Sequence, residues 1–348
     1  MGKSLLPYLL RSFFGNPNTL YCKGLIITIY DWQKISGTTV LQKPELHDGG
    51  SIQKAGTMDF VGAVENGKNG AVGFDFVSPH DGTKAKKAWF FFDQSYVCLG
   101  TAIKGEKDLP VATTVDQVLI RSSISTMQSG KKAAPLPQGM HKISRLKWLY
   151  HGNIGYIFPD DSKVHVSNKV ETGRWSAITD QKNISNKLVS DEVLKIWFDH
   201  GINPQNESYA YMVFPGISEN KLKSIYDVGT PYRILSNSKK LQAVKNKEEQ
   251  QVQAVFYQPG MLQLENKLSL KMDNSGIILI ELHQGKVQAI SISDPSRKQK
   301  EIKFRLDGLY KVKDREVITS RDKKSKATYF TIRGILPEKV LAFNLSNH

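Results

Sequence analysis

The sequence predicts an all-β protein built from antiparallel sheets. Short apolar and aromatic runs recur along the 348 residues, and Gly, Pro or Asp closes each of them. Such runs form strands that pair on both sides and pack on at least one face. The strongest is KAWFFFDQSYVCLG at residues 87–100. After residue 250, short strand-like runs follow one another at the turn spacing of a small antiparallel sandwich.

The elements follow from local pattern. LIITIY at 25–30 favours a strand, and the glycine-rich stretch 44–73 favours long loops that carry ligand contacts. Residues 121–142 are polar and lack periodicity, which indicates an exposed excursion. SENKLKSIY at 218–226 predicts the single helix, because Ser218 can cap it and its apolar spacing is helical. In SKVHVSNKV, the alternation places His165 on the wet face of a strand.

The chain carries a formal net charge of +15, with 40% hydrophobic and 23% charged residues. This balance favours a polyanionic partner: nucleic acid, an anionic membrane or an acidic polysaccharide. No apolar run is long enough to span a bilayer. Basic residues are dense between Arg297 and Lys326, but they alternate with apolar ones, as on the solvated face of strands. Phe304 and Tyr310 fall on the apolar side, so nucleic-acid binding is not predicted.

No complete set of catalytic groups is present in the sequence. The two cysteines form no metal-binding spacing, and the eight histidines form no HxH, HxxxH or HExxH pair. Asp199-His200-Gly201 looks like a catalytic dyad, but a turn whose Asp accepts backbone N–H groups is the favoured interpretation. We therefore predict no catalytic residue in this chain.

Five tryptophans lie in or beside the predicted strands. Trp89 and Trp197 are predicted core residues, whereas Trp32 and Trp175 follow polar residues next to glycine turns. An exposed Trp is a platform on which a sugar ring stacks. The candidate substrate-binding residues are these two tryptophans and three polar residues of the glycine-rich stretch: Trp32, His47, Asp48, Asn66 and Trp175.

A series of motifs in fixed order resembles polysaccharide lyase family 8, the family of chondroitin AC, hyaluronate and xanthan lyases. The motifs are YDWQKISGTTV, GTMDFVGAV, KAWFFFDQSYVCLGTAI, TTVDQ, HGNIGYIFP, TGRWSAI, VLKIWFDHG, YAYMVFPG and LQAVKNKEEQQVQAVFY. The chondroitin AC type looks most similar.

The resemblance implies a large antiparallel β super-sandwich, galactose-mutarotase-like, followed by a small C-terminal antiparallel β-sandwich. We place the first at residues 21–228 and the second at 251–348. Residues 229–250 are the expected junction, since they are rich in turn residues and then in charge. Residues 1–20 form a poorly defined N-terminal segment.

The implied activity is β-elimination at a uronic acid, which requires a base, an Asn that neutralises the carboxylate and an Arg near the leaving oxygen. In the family these groups lie on an α/α toroid ahead of the β domains, and no residue here matches them. We therefore expect the β-domain portion of a lyase that is inactive alone, from a truncated gene product or a split enzyme. The alternative is a non-catalytic binding protein for acidic polysaccharides.

The expected partners are an acidic polysaccharide such as chondroitin sulfate or hyaluronan and a separately encoded α/α toroid, with no nucleic acid and no membrane. Some family members bind calcium near the DWQK-like motif. Asp31 matches one ligand, but Gln33 and Gln42 stand at the other positions, so no metal and no cofactor are predicted. The resemblance implies an extracellular or periplasmic protein, although MGKSLLPYLLRSFFG is not a clear signal peptide.

Overall fold

The computed structural model describes residues 27–45, 56–159, 163–178, 183–333 and 340–347. The predicted all-β class is confirmed, with a β super-sandwich region and a C-terminal β-sandwich. Every strand pair whose register is described is antiparallel, including the pair formed by the two longest strands. No helix in these ranges is long and apolar enough to cross a membrane.

The first fourteen strands are β1 Thr39–Leu41, β2 Val61–Glu65, β3 Gly70–Val77, β4 Lys84–Phe92, β5 Ser95–Lys104, β6 Pro110–Leu119, β7 Ser125–Gln128, β8 Ala134–Pro135, β9 Met140–Ser144, β10 Leu146–His151, β11 Ile154–Ile157, β12 Lys163–Gly173, β13 Val189–Ile202 and β14 Glu207–Pro215. A single turn of 3-10 helix, Trp175–Ala177, follows β12, and helix α1, Glu219–Val228, follows β14.

The remaining strands are β15 Tyr232–Ser238, β16 Leu241–Asn246, β17 Gln251–Phe256, β18 Gly260–Glu265, β19 Leu268–Met272, β20 Gly276–His283, β21 Lys286–Ser293, β22 Glu301–Asp307, β23 Tyr310–Val312, β24 Val317–Asp322, β25 Ala327–Arg333 and β26 Leu341–Asn347. The chain divides into two compact units.

The first unit comprises residues 1–51, 104–205 and 209–227. It contains a five-stranded sheet in the order β1-β6-β13-β12-β9 and the paired strands β14-β11-β10-β7-β8. Alternate residues of β12 and β13, such as Val166 and Ile196, are fully buried and form the core side of that sheet. Leu222 of helix α1 packs on Gly155. The contact requires glycine, because a side chain at residue 155 would overlap the Leu222 side chain.

The second unit comprises residues 52–103, 206–208 and 228–348. It contains β2-β3-β4-β5, a seven-stranded sheet β15-β16-β17-β20-β21-β26-β23 and a five-stranded sheet β18-β19-β22-β25-β24. Apolar side chains from the last two sheets form one continuous core. Within it, the rings of Phe304 and Phe330 stack with centroids 4.5 Å apart.

The structure confirms the predicted helix and corrects two local predictions. The Ser218 hydroxyl caps α1 by accepting the Lys221 N–H at 3.3 Å. Residues 27–29 are helical rather than extended, because Thr28 and Ile29 are buried by tertiary contacts that override the β-branched pattern. The segment 121–142 is mostly exposed, as predicted, and it also contains β7, β8 and the start of β9. His165 is buried and does not lie on a wet face.

Lys87 on β4 is a buried cation in the second unit. Only 4% of the residue is exposed, and its ammonium lies 5.4 Å from the centre of the Trp89 ring. Burial lowers the pKa of Lys87 from 10.5 to about 7, although the Cys98 thiol acts in the opposite direction. The folded chain therefore resists protonation of this group, whereas the unfolded chain binds the proton up to its ordinary pKa.

We expect Lys87→Met to raise the free energy of unfolding on the order of 2 kcal/mol at pH 7, since no desolvated ammonium remains. Between about pH 7 and 10.5 the unfolded wild type holds more protons than the folded form, so its stability rises with pH in that window. The variant should lose this rise. Denaturant titrations across this pH window measure the pH dependence of the free energy of unfolding. The control is Lys84→Met, at an exposed position of the same strand. Equal pH slopes for wild type and Lys87→Met would contradict the assignment.

Candidate functional site

Residues 31–43, here called the Trp32 loop, comprise an irregular stretch followed by β1, and β6 holds both in place. The Gln117 side chain accepts the Asp31 N–H at 2.9 Å and donates to the Lys34 carbonyl at 3.0 Å. The Ser36 hydroxyl donates to Asp116 at 2.9 Å. Because the Asp116 and Gln117 side chains are buried at this point, the loop has a defined position on the sheet of the first unit.

Asp116 is an internal anchor for the loop. Burial raises the pKa of this carboxyl, while hydrogen bonds from the Tyr156 and Ser36 hydroxyls lower it. In the sequence, TTVDQ stands out only as part of the family resemblance, and this anchoring role is not apparent. The signal that could have found it was an adjacent Asp and Gln on an otherwise apolar strand, where buried polar side chains need partners.

One face of β12 and β13 under the loop is polar. The Lys195 ammonium lies 2.7 Å from Glu171 Oε1 and 3.7 Å from Asp31 Oδ2, with little of its side chain exposed. It therefore joins β12, β13 and the Trp32 loop in one ion cluster. Both carboxylates are occupied by this ammonium, which leaves neither poised as a free base.

Trp197 is the buried centre of this face, as predicted for a core residue. The Lys34 ammonium lies 5.2 Å from the centre of its ring, and the His165 ring contacts it edge-on at 5.3 Å. Burial lowers the pKa of Lys34 and also that of His165. His165 is therefore neutral near pH 7 and contributes no fixed charge.

Trp32 and Trp175 are the surface-accessible tryptophans of this unit. Trp32 is 45% exposed and contacts Tyr30 edge-to-face at 5.7 Å. Trp175 is half-buried in the 3-10 turn after β12. The segments that carry the two tryptophans contact each other at Gly173, which lies against the Thr28 carbonyl oxygen. A Cβ at residue 173 would lie 1.7 Å from that oxygen, so only glycine fits there. Both indoles thus lie within a few residues of one backbone contact.

The three polar candidates are placed differently. His47 and Asp48 lie outside the described residues. Asn66 lies in the second unit, in the turn between β2 and β3. Its side-chain oxygen accepts the Asn69 N–H at 2.9 Å, and its side-chain NH2 group donates to the Glu281 carboxylate at 2.6 Å. These bonds give Asn66 a role in shaping the turn. Its contact with substrate stays a prediction, as it does for the other four candidates.

The Asp199-His200 pair has the geometry of a bulged strand. Asp199 accepts the Gly201 N–H at 3.0 Å, as the turn interpretation predicts. The buried His200 ring pairs instead with the Thr113 hydroxyl at 2.8 Å. His165 Nε2 is 3.9 Å from Asp199 Oδ2. Both histidines are buried, so neither presents an accessible base.

Some members of the resembled family bind calcium at the position of this loop. The side chains present in this chain do not form such a site. Calcium takes oxygen ligands that are free to coordinate. Gln33 exchanges two hydrogen bonds with the backbone of Lys43, and the Lys34 ammonium donates to the Gln42 side-chain oxygen. The ammonium groups of Lys34 and Lys195 thus stand where a cation would be bound. Among the described residues, no group of three or more His, Cys, Asp or Glu side chains is placed to hold a metal ion.

Comparison with known proteins gives a consistent result. Residues 18–226 match the family model for the polysaccharide lyase family 8 super-sandwich domain, and residues 233–303 match that for the family's C-terminal beta-sandwich domain. Chondroitinase-AC of Pedobacter heparinus is 34% identical over 284 residues, which cover 79% of this chain and 38% of that protein. Hyaluronate lyase HylB of Enterococcus faecalis is 31% identical over 207 residues, or 55% of this chain and 20% of that protein.

Two solved lyase structures superpose on this chain. A chondroitinase AC lyase solved with oligosaccharides superposes with a TM-score of 0.77 at 29% identity, covering 91% of this chain and 44% of that one. A Paenibacillus xanthan lyase gives a TM-score of 0.78 at 22% identity over 92% of this chain and 31% of that one, a likeness of fold. The chain spans less than half the length of these relatives.

We expect the melting temperature to be the same in millimolar calcium and in excess chelator, because the loop oxygens already have partners and two ammonium groups repel a cation. Thermal unfolding followed by Trp fluorescence measures this, with magnesium at equal ionic strength as the control for screening. A rise specific to calcium would show that the loop rearranges to bind it.

Proposed function

Because this chain belongs to polysaccharide lyase family 8, we propose that it is the β-domain portion of a lyase acting on a uronic-acid-containing polysaccharide of the chondroitin or hyaluronan type. The single observation that carries the proposal is the family match along both β regions. The relatives named for chondroitin and hyaluronan support the choice of substrate class. The net charge of +15 suits a polymer that carries carboxylates and sulfates.

The reaction proposed for the complete enzyme is β-elimination. A base removes the C5 proton, the electron pair of that C–H bond forms the C4–C5 double bond, and the C4–O bond breaks. The leaving oxygen takes up a proton, and a donor stabilises the charge that develops on the carboxylate. These groups must stand within hydrogen-bond reach of one another around one sugar.

We propose that this chain alone does not carry out that step. Around Trp32 the carboxylates of Asp31 and Glu171 are held by Lys195, and His165 is buried against Trp197. These contacts support the view that none of the three side chains serves as the base. In our proposal an α/α toroid supplies those groups and this chain supplies part of the substrate-binding surface.

Trp32 is the side chain proposed to contact the polymer first, with Trp175 as a second platform. A sugar ring presents C–H groups on its face, which pack on an indole. His47, Asp48 and Asn66 are proposed as further polar contacts. We also propose that the protein acts outside the cytoplasm, where such polymers occur.

A second function is a non-catalytic binding protein for acidic polysaccharides. The observation favouring it is that the acidic groups near Trp32 are consumed in ion pairs while an indole remains accessible. This arrangement serves binding without any chemical step.

The purified chain should yield no unsaturated uronide from chondroitin sulfate or hyaluronan, measured as ultraviolet absorbance of the conjugated product over time. A chondroitinase under the same conditions is the positive control. Steady growth of absorbance with this chain alone would overturn the proposed inactivity. Retarded migration in gels containing either polymer, without such growth, would support the binding function.

We expect Trp32→Ala to weaken that retardation about threefold to tenfold, because one stacking platform is lost. Ile202→Ala is the matched control, since Ile202 is an exposed apolar side chain of the same unit without an aromatic face. Equal effects of the two substitutions would remove Trp32 from the proposed site. Unchanged far-ultraviolet circular dichroism excludes misfolding as the cause.

A further inference from the structure

The five-stranded sheet of the second unit has an outward face that carries a row of polar and aromatic side chains. Along β22 and β25, residues such as Phe304 and Phe330 point into the core, so their neighbours point outward. Arg305 lies directly across from both Lys271 and Tyr329, and Tyr329 lies across from Ser320. Tyr329 is 43% exposed.

This row adjoins turns with a high density of lysine. Lys267 lies between β18 and β19, and Lys323, Lys324 and Lys326 lie between β24 and β25. Hydrogen bonds fix these turns at one end of the sheet: the Gly308 N–H donates to the Lys326 carbonyl at 2.7 Å, and the Thr328 hydroxyl donates to the Gly308 carbonyl at 2.8 Å. All four lysines are exposed.

The acidic groups at this end are satisfied by partners inside the unit. Asp307 accepts the Ser269 hydroxyl at 2.6 Å and the Arg305 guanidinium at 2.8 Å. Asp322 accepts the Lys324 N–H at 2.9 Å and the Ser325 hydroxyl at 2.7 Å, which shapes the lysine turn. Glu265 is paired with Lys245. Within the described part of the chain, none of the four turn lysines forms an ion pair with a carboxylate.

We propose that this surface, Tyr329 with the four turn lysines, is an accessory binding site for an acidic polysaccharide. A pyranose ring packs on the Tyr329 face, the Ser320 and Thr331 hydroxyls flank it, and the turn lysines receive the carboxylates or sulfates of adjoining residues. The proposal goes beyond the proposed function, because elimination does not require this site. It rests on that function only in the choice of glycan as the polyanion.

Glycan is favoured over nucleic acid by the shape of the surface. Binding of a single-stranded nucleic acid uses several aromatic platforms for successive bases. This face offers one exposed aromatic ring, bordered by hydroxyl groups and charges, among its described residues. A sugar polymer, in which one ring stacks and charged groups recur along the chain, matches that arrangement.

The test is retardation of the purified chain in gels containing chondroitin sulfate. Lys323→Ser with Lys324→Ser should weaken the apparent affinity on the order of tenfold at low salt, since each lysine near a polyanion contributes a several-fold factor. The control is Lys239→Ser with Lys240→Ser, an adjacent exposed lysine pair in the β15–β16 turn of the same unit. Equal weakening by the two pairs would overturn the proposal, because net charge alone would then explain binding.

Tyr329→Ala tests the ring independently of charge. It should weaken retardation about threefold at high as well as low salt, because stacking is not screened. Ile318→Ala, an exposed apolar residue on the same face, should have little effect. Duplex DNA that displaces chondroitin sulfate at equal charge concentration would overturn the choice of glycan. The retardation measured with Trp32→Ala reports on the proposed function separately, since Trp32 lies in the first unit and these substitutions lie in the second.

Discussion

The pairing of β12 with β13 is the constraint on which the first unit depends. Ten residue pairs, from Val164 opposite Phe198 to Gly173 opposite Val189, hold the two longest strands in one register. That register puts Val166 and Ile196 into the core and Lys195 and Trp197 on the other face. A slip by one residue would exchange the two faces and bury the ion cluster in the apolar core.

The Trp32 loop is a surface feature whose position depends on the sheet beneath it. The residues of this loop before β1 have little regular structure, so their position depends on buried polar anchors in addition to the pairing of β1 with β6. Asp116 and Gln117 supply these anchors, and each makes hydrogen bonds that compensate for its burial. Removing one partner would leave the other unsatisfied. The loop and β6 therefore form one cooperative structure, and the exposed indole of Trp32 is held on a rigid base.

Much of this architecture could be predicted from the sequence, since strands and their turns are encoded by local alternation and by Gly, Pro and Asp. The Ser218 cap identified the helix in the same way. The conformation of residues 27–29 could not be assigned locally: Thr28 packs against Gly173, far along the chain, and the local pattern does not show such a contact. His165 has the sequence pattern of a solvent-exposed strand face, yet it is buried and packs against the Trp197 ring. The prominence of Trp32 was visible in sequence, whereas its anchors required the fold.

The basic residues of this chain fall into two groups with different roles. Near Trp32, the Lys195 ammonium is paired with Asp31 and Glu171, and the Lys34 ammonium lies against the Trp197 ring, so these two lysines stabilise the loop. In the β24–β25 turn the lysines are exposed, and the nearby carboxylates are committed to other partners. A net charge of +15 therefore does not act as one diffuse attraction. Structural cations hold the candidate site in shape, while the exposed cations of the C-terminal sandwich remain available to a polyanion.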